Sequence, residues 1–305
     1  MKVLFLQLAH LETDDRIVHQ MDTLRRHGFA CSYAHERAKD DAADIIICDT
    51  PKAVLRNIGF GGSVIYDVTE WYPSKKNLRL FTPLLRPLAA VAMGGLSLLA
   101  GIRTRGFIFG EKEKSIPFRC LFPWKKYVYL PYYPSQKLFA DVVEQREQNS
   151  PLRVLYAGPL TEEKGYFRAV KAAELAGVEL TVIGPEQYMP LTDFCRYIKS
   201  FDVALDLRDR DAENRRCLPI KLFYYWAAGV VPIYSDLDAI RRHVPNADEA
   251  MLLVKNEQEA VSALRQLKEQ PALLQKYRSA GLRLHRNAYY WEAVEERLIS
   301  IISQI

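Results

Sequence analysis

The stretch Cys217-Leu218-Pro219-Ile220-Lys221-Leu222-Phe223-Tyr224-Tyr225-Trp226-Ala227-Ala228-Gly229-Val230-Val231-Pro232-Ile233 reads as a helix running straight into a buried strand. Pro219 suits the first turn of a helix, where its missing N–H is not needed. Leu222, Phe223 and Trp226 recur at helical spacing, and Gly229 is a natural stop. Val230 to Tyr234 form a short apolar run, the pattern of a strand covered on both faces. A helix entered from a loop presents free backbone N–H groups and the positive end of its dipole, a ready site for a phosphate. With no ligand, the same string would serve as a buried helix of an α/β layer.

Outward from this stretch the alternation repeats. Strands are expected over 153–157, 180–183, 202–207 and 251–254, with a helix over 166–176 and two amphipathic helices before a last one over 290–305. In the first half, strands are expected over 3–8, 29–33, 44–48, 63–67 and 106–110, with another ending in 127–134. Helices fill 14–27, capped by Thr13 or Asp14 and ending at Gly28, and 51–57. Strands alternating with helices predict an α/β chain with parallel, doubly wound sheets. The polar segment 141–151 reads as a helix tail and linker, dividing a first domain at 1–147 from a second at 148–285.

The 305 residues can bury two ordinary cores. An apolar fraction of 49% and a charged fraction of 26% are those of a soluble globular protein. Five cysteines show neither a C-x-x-C pair nor ligand spacing, which predicts free thiols in reducing cytosol. The start, Met1 to Leu6, reads as a strand and lacks a signal-peptide pattern. The turn from Ala9 to Ile17 has no glycine-rich phosphate fingerprint, which disfavours a nicotinamide-binding Rossmann domain. There is no Ser-His-Asp order, zinc spacing or internal repeat. Asp209-Arg210-Asp211 is a lone D-x-D in a charged loop and no metal site is expected. No nucleic-acid partner is expected either.

Two further stretches carry polar chemistry beyond strand ends, where ligands of open α/β sheets collect. Tyr66-Asp67-Val68-Thr69-Glu70-Trp71-Tyr72-Pro73 offers acid, hydroxyl and aromatic groups that can hydrogen-bond and stack on a sugar; the plain alternative is a polar strand end. Gly158-Pro159-Leu160-Thr161-Glu162-Glu163-Lys164-Gly165 is a loop that sets a lysine beside a helix start, which suits a phosphate.

In order and spacing these segments resemble glycosyltransferases of the GT-B fold, family 4 in particular, over nearly the whole chain. Residues 218–233 resemble that family's "lPnKlfEYmaaGlPVI" helix, with Tyr224 at the glutamate and Arg216 eight residues earlier where a second glutamate is usual. Residues 66–73 resemble "yDvHEyyP", with Thr69 at the histidine. Residues 157–165 resemble the "vGrl...KG" loop, with Lys164 in place and Pro159 at the arginine. Asp15, Arg16 and Ile17 resemble a "DpRi" opening, and 290–305 the "sWe...erll.ly" ending, which in GT-B proteins crosses back to the first domain. The resemblance therefore implies two Rossmann-like domains, with 286–305 as a helix packing back toward the first. It implies transfer of a sugar, with retained configuration and no metal or other cofactor, from a nucleoside diphosphate donor to a glycan or lipid-linked acceptor. It makes Asp67, Thr69 and Glu70 the catalytic candidates and Asp15, Arg16 and Trp71 the acceptor side. Gly158, Pro159, Lys164, Gly184, Glu186, Tyr188, Pro219, Lys221, Leu222 and Tyr224 become donor-binding. Two alternatives stay open: a GT-B module that binds without catalysis, favoured by the substitutions at 69, 159, 216 and 224, and a nucleotide-sugar epimerase.

Charge is uneven. Residues 75–126 hold eleven Lys or Arg against Glu111 and Glu113, an excess of +9, whereas the remaining 31 basic and 35 acidic residues give −4. Within this segment 87–102 carries no charge. Sixteen residues fall short of the roughly 20 that span a bilayer, so 87–102 is either a buried helix or, with its basic surroundings, an element at an anionic membrane surface. The second reading would make the chain a cytoplasmic protein peripheral to the inner face of a membrane.

Overall fold

The structure is a computed structural model that describes residues 1–6, 15–35, 43–70, 73–142, 151–187 and 189–305. It divides into two units, Met1–Tyr132 with Val294–Ile305, and Tyr133–Ala293, against expected divisions after 147 and 285.

The first unit contains β1 (Lys2–Leu6), α1 (Asp15–Arg26), β2 (Ala30–Ala34), β3 (Ile45–Cys48), α2 (Pro51–Arg56), β4 (Ser63–Val68), α3 (Lys75–Leu78), α4 (Arg86–Arg103), β5 (Gly106–Phe109), α5 (Lys112–Leu121) and β6 (Lys126–Tyr129). The strands form one parallel sheet in the order β2-β1-β3-β4-β5-β6. β3 and β5 are buried at every position because helices cover both faces. Thr50 caps α2, its hydroxyl accepting from the Ala53 amide, and Pro51 takes the first helical position.

The second unit contains β7 (Val154–Ala157), α6 (Tyr166–Ala176), β8 (Leu180–Ile183), α7 (Leu191–Ile198), β9 (Val203–Asp206), α8 (Lys221–Ala227), β10 (Val231–Ser235), α9 (Asp238–His243), α10 (Ala247–Ala250), β11 (Leu252–Val254), α11 (Glu257–Glu269) and α12 (Pro271–Asn287). Its parallel sheet runs β11-β10-β9-β7-β8. Alternate side chains of β7 serve two cores: Val154 and Tyr156 face the layer of α6 and α11, Leu155 and Ala157 the layer of α8 and α12. Helix α8 is apolar all round and buried from Leu222 to Ala227, as a helix enclosed on every side must be. Trp226 donates its indole N–H to the Ala250 carbonyl at 3.0 Å. Gly281 lets α12 approach, since a Cβ there would lie 2.6 Å from the Trp226 ring. Gly229, at φ 69°, ends the helix as expected.

The chain closes with α13 (Glu296–Ser303), which belongs to the first unit. Thr23 donates to Glu295 at 2.8 Å, Arg26 is ion-paired with Glu295, and Arg297 donates to the Tyr129 carbonyl at 3.1 Å.

Candidate functional site

In each sheet the strand order reverses beside the unit's first strand, between β1 and β3 and between β7 and β9. The crevice beyond the carboxyl ends at such a reversal is where open α/β sheets bind ligands. In both units ionisable groups gather there.

In the second unit the groups come from three chain segments. The loop after β7 is fixed by Tyr156, whose hydroxyl donates to the Pro159 carbonyl at 2.7 Å and to the Lys164 carbonyl at 3.3 Å. Gly165, which starts α6, has φ 77°, and a Cβ on it would lie 2.1 Å from the Leu207 carbonyl group, so only glycine fits. This tight approach brings Lys164 to the end of β9, where its ammonium donates to Asn214 Oδ1 at 3.2 Å and lies 3.5 Å from Glu163. Lys221, at the start of α8, reaches the end of β7 and donates to the Ala157 carbonyl. Its Nζ lies 3.2 Å from where a Cβ on Gly158 would stand. Burial lowers the Lys221 pKa to about 8; Arg208 and Lys164 push the same way and Asp206 opposes them. Arg208 is itself paired with Asp206, its Nε donating at 2.7 Å. Three cations thus share one strand reversal, and burial brings the pKa of one of them, Lys221, down to about 8.

Other expected donor residues fall differently. Gly184 follows β8, its amide donating to Gln187 Oε1 at 2.9 Å, and Glu186 is exposed in the same turn. Pro219 is buried and its carbonyl accepts from the Leu222 amide, so it forms the turn into α8 as read from sequence. Leu222 and Tyr224 are corrections. Leu222 is fully buried, and the Tyr224 ring packs edge-on against Phe139 in the core, so neither side chain presents a ligand surface. Helix α8 spans seven residues, Lys221–Ala227, with Lys221 at its start. Tyr188 lies outside the described residues.

In the first unit, Asp67 near the end of β4 is fully buried and accepts from Tyr132 Oη at 2.8 Å and Gln20 Nε2 at 3.2 Å. Arg16, expected to meet an acceptor, is turned inward: its guanidinium lies 3.6 Å from Asp67 and 3.9 Å from Asp49, 5.4 Å from the Tyr132 ring centre. Burial, with Asp67 beside it, raises the Tyr132 pKa well above that of an ordinary phenol. Asp67 and Arg16 therefore brace the strand ends. The Thr69 hydroxyl lies 3.5 Å from the Asp49 carbonyl, and the Thr69 carbonyl accepts from buried Lys114 at 2.6 Å. Glu70 is exposed at the wall of a cavity of about 260 Å³ that Lys114 also lines. Asp15 begins α1; Trp71 lies outside the described residues.

Sequence reading overlooked Tyr156, Asp206, Arg208, Asn214 and Lys114. Asp206 and Arg208 carried a signal in their place at the end of a buried strand. Asp209-Arg210-Asp211 drew attention instead, yet Asp209 pairs with Arg168 at 2.8 Å and Asp211 accepts from the Glu213 and Asn214 amides.

Residues 165–300, covering α6 through most of α13, match a family model described as glycosyl transferase-like. Sucrose-phosphate synthase from Thermosynechococcus elongatus superposes with a TM-score of 0.72 at 11% identity, over 100% of this chain and 99% of that one. HepE from Anabaena, in complex with UDP-glucose, gives 0.66 at 12% identity over 100% of both chains. An alpha-glucosyltransferase in complex with UDP-glucose and DNA gives 0.70 at 10% identity over 99% of both. The chain has the GT-B fold. No curated protein sequence matches it. The GT-B chain therefore carries a glycosyl transferase-like segment that includes Gly165, Arg208 and Lys221, while Gly158 and Lys164 lie just before it.

Proposed function

We propose that the GT-B chain is a glycosyltransferase that moves a sugar from a nucleoside diphosphate donor to a glycan or lipid-linked acceptor, in cell-surface polysaccharide synthesis. The observation that carries this reading is the gathering of Lys164, Lys221 and Arg208 at the β7/β9 reversal. Breaking the bond between sugar and diphosphate leaves negative charge on the leaving group. Fixed cations at that point stabilise the transition state without reorganisation and do the work a metal does elsewhere. A diphosphate beside Lys221 would also restore the charge that burial and its cationic neighbours now disfavour. Complexes of structural neighbours with UDP-glucose support a nucleotide-sugar donor. Glu70, exposed at the wall of a cavity, stands where an acceptor would approach. Retention of configuration follows from the resemblance to family 4.

A second reading, a GT-B module that binds without transfer, is favoured by one observation. The Tyr224 ring is core where the resembled family sets a carboxylate, so that contact is missing. Thermal-shift titration against UDP, GDP, CDP and their sugars, followed by a donor-hydrolysis assay, separates the readings. Stabilisation by one nucleotide with slow hydrolysis of its sugar supports transfer. Stabilisation without hydrolysis or transfer to any acceptor supports the module, and no response to any nucleotide overturns the transfer reading.

A further inference from the structure

Helix α4 is built inside out. Leu84 in the turn before it, then Leu88, Val91, Leu99 and Ile102, are 92, 68, 75, 53 and 65% exposed. Their spacing puts them along one side of the helix. The opposite side buries Ala89, Ser97, Ala100 and Gly101, and Gly101 touches Phe122 so closely that a Cβ would lie 2.5 Å from its ring. A helix covering a soluble core does the reverse, with large apolar groups inward. The expectation of a buried helix over 87–102 is therefore corrected. The apolar surface continues beyond α4: Ile116 and Leu121 of α5 and Trp124 after it are 58, 49 and 73% exposed. The 260 Å³ cavity lies between α4 and α5, bordered by Leu98 and Leu121 and reaching Glu70.

We propose that this α4–α5 face docks the protein on an anionic lipid surface, with α4 lying in the plane of the headgroup–acyl boundary. Charge argues for that occupant. Arg79, Arg86, Arg105, Lys112, Arg119 and Lys126 are exposed in this segment, whereas of its two acids Glu111 is buried beside Lys114. Large exposed apolar groups amid cations are the composition of an interfacial element, and an exposed Trp suits the headgroup level. By length and composition 83–103 is able to cross a membrane. Its fixation in the first unit argues for lying flat: α4 packs on α2, Arg103 donates to the carbonyls of Ile58 and Phe60, and Lys125 donates to those of Gly101, Ile102 and Thr104. The proposal does not rest on sugar transfer; were both correct, the acceptor side of the first unit would open near its lipid.

The test is co-sedimentation of the full chain with phosphatidylcholine vesicles containing increasing phosphatidylglycerol. Binding is expected to rise with phosphatidylglycerol and to fall, without vanishing, in high salt, because exposed charges are screened and the apolar stripe is not. The double variant Leu88→Glu/Val91→Glu is expected to keep its melting temperature, both side chains being open, and to lose at least about tenfold in binding. A blue shift of wild-type fluorescence on vesicles, absent in Trp124→Phe, reads the same contact without that variant. Wild type remaining in the supernatant with anionic vesicles at low salt overturns the proposal. So does a wild-type dimer that ignores vesicles and becomes monomeric in the double variant, which would assign the face to a second copy.

Discussion

Lys221 ties the chemistry of the candidate site to pH. Its ammonium is held near neutrality at about 8 chiefly by burial, whereas a bound diphosphate requires the charged form. Affinity for a nucleoside diphosphate is therefore expected to fall about tenfold between pH 7 and pH 9, as the protonated fraction of a group titrating at about 8 drops from roughly nine-tenths to one-tenth, in calorimetric titrations. Lys221→Arg, which stays charged, should flatten that slope, and an unchanged slope would dissociate Lys221 from the ligand. Its effect on stability has a definite sign. Between about 8 and the ordinary lysine value of 10.5 the unfolded chain holds a proton that the folded chain has shed, so folding gains from this group as pH rises through that window. Lys164 tests the other half of the site. Losing a charge-assisted hydrogen bond to a diphosphate costs about 1.5–3 kcal/mol, so Lys164→Ala should weaken nucleotide binding by that amount with little change in melting temperature. Lys164 was legible because it sits in a glycine-bounded loop between strand and helix. Tyr224 was misread because α8 is apolar on every side, and periodicity then gives no sign of which side meets the core. Arg208 was passed over because nothing local announces that it folds back on Asp206, two residues earlier.

At the scale of elements, the strands were the most legible feature. β3, Ile45–Cys48, is an unbroken apolar run because it is covered on both faces. Helix α6 was read to its bounds. Helix α5 was not foreseen, since Pro117 lies inside it and its first turn is charged. Helix α4 was foreseen as apolar but not as exposed: both its sides are uncharged, and only side-chain size separates outer from inner. The start of α6 allows a sharp prediction. Gly165 combines a left-handed φ of 77° with direct contact on the Leu207 backbone. An alanine there would both strain the backbone and force α6 away from β9. Gly165→Ala is therefore expected to destabilise the chain by about 2–4 kcal/mol and to displace Lys164, lowering nucleotide affinity together with the denaturation midpoint. Normal stability in urea would show that the loop has slack.

For the molecule as a whole, the first and last parts of the chain complete one core. The GT-B outline, with two parallel sheets and a final helix returning to the first unit, was what the family resemblance of the ordered segments implied, and no one segment carried it. That return has an energetic consequence. Leu298, Ile301 and Ile302 of α13 are almost wholly buried, and Gly106 of β5 leaves room for the Ile305 side chain, 2.6 Å from where its Cβ would be. Burying each of the three contributes about 1.5–3 kcal/mol, and together they rival the roughly 5–15 kcal/mol that holds a domain folded. The pairing of Arg26 and Thr23 with Glu295 adds polar contacts that fix where α13 sits. A chain ending at Ala293 should therefore lose the first unit selectively. The second unit keeps both of its cores, so urea unfolding should show an early transition for the first unit and a later one near the wild-type midpoint. Ile301→Ala, costing about 2–5 kcal/mol, should move only the early transition. If truncation instead leaves a single transition at the wild-type midpoint, α13 contributes little, and the first unit is held by its sheet and helices alone.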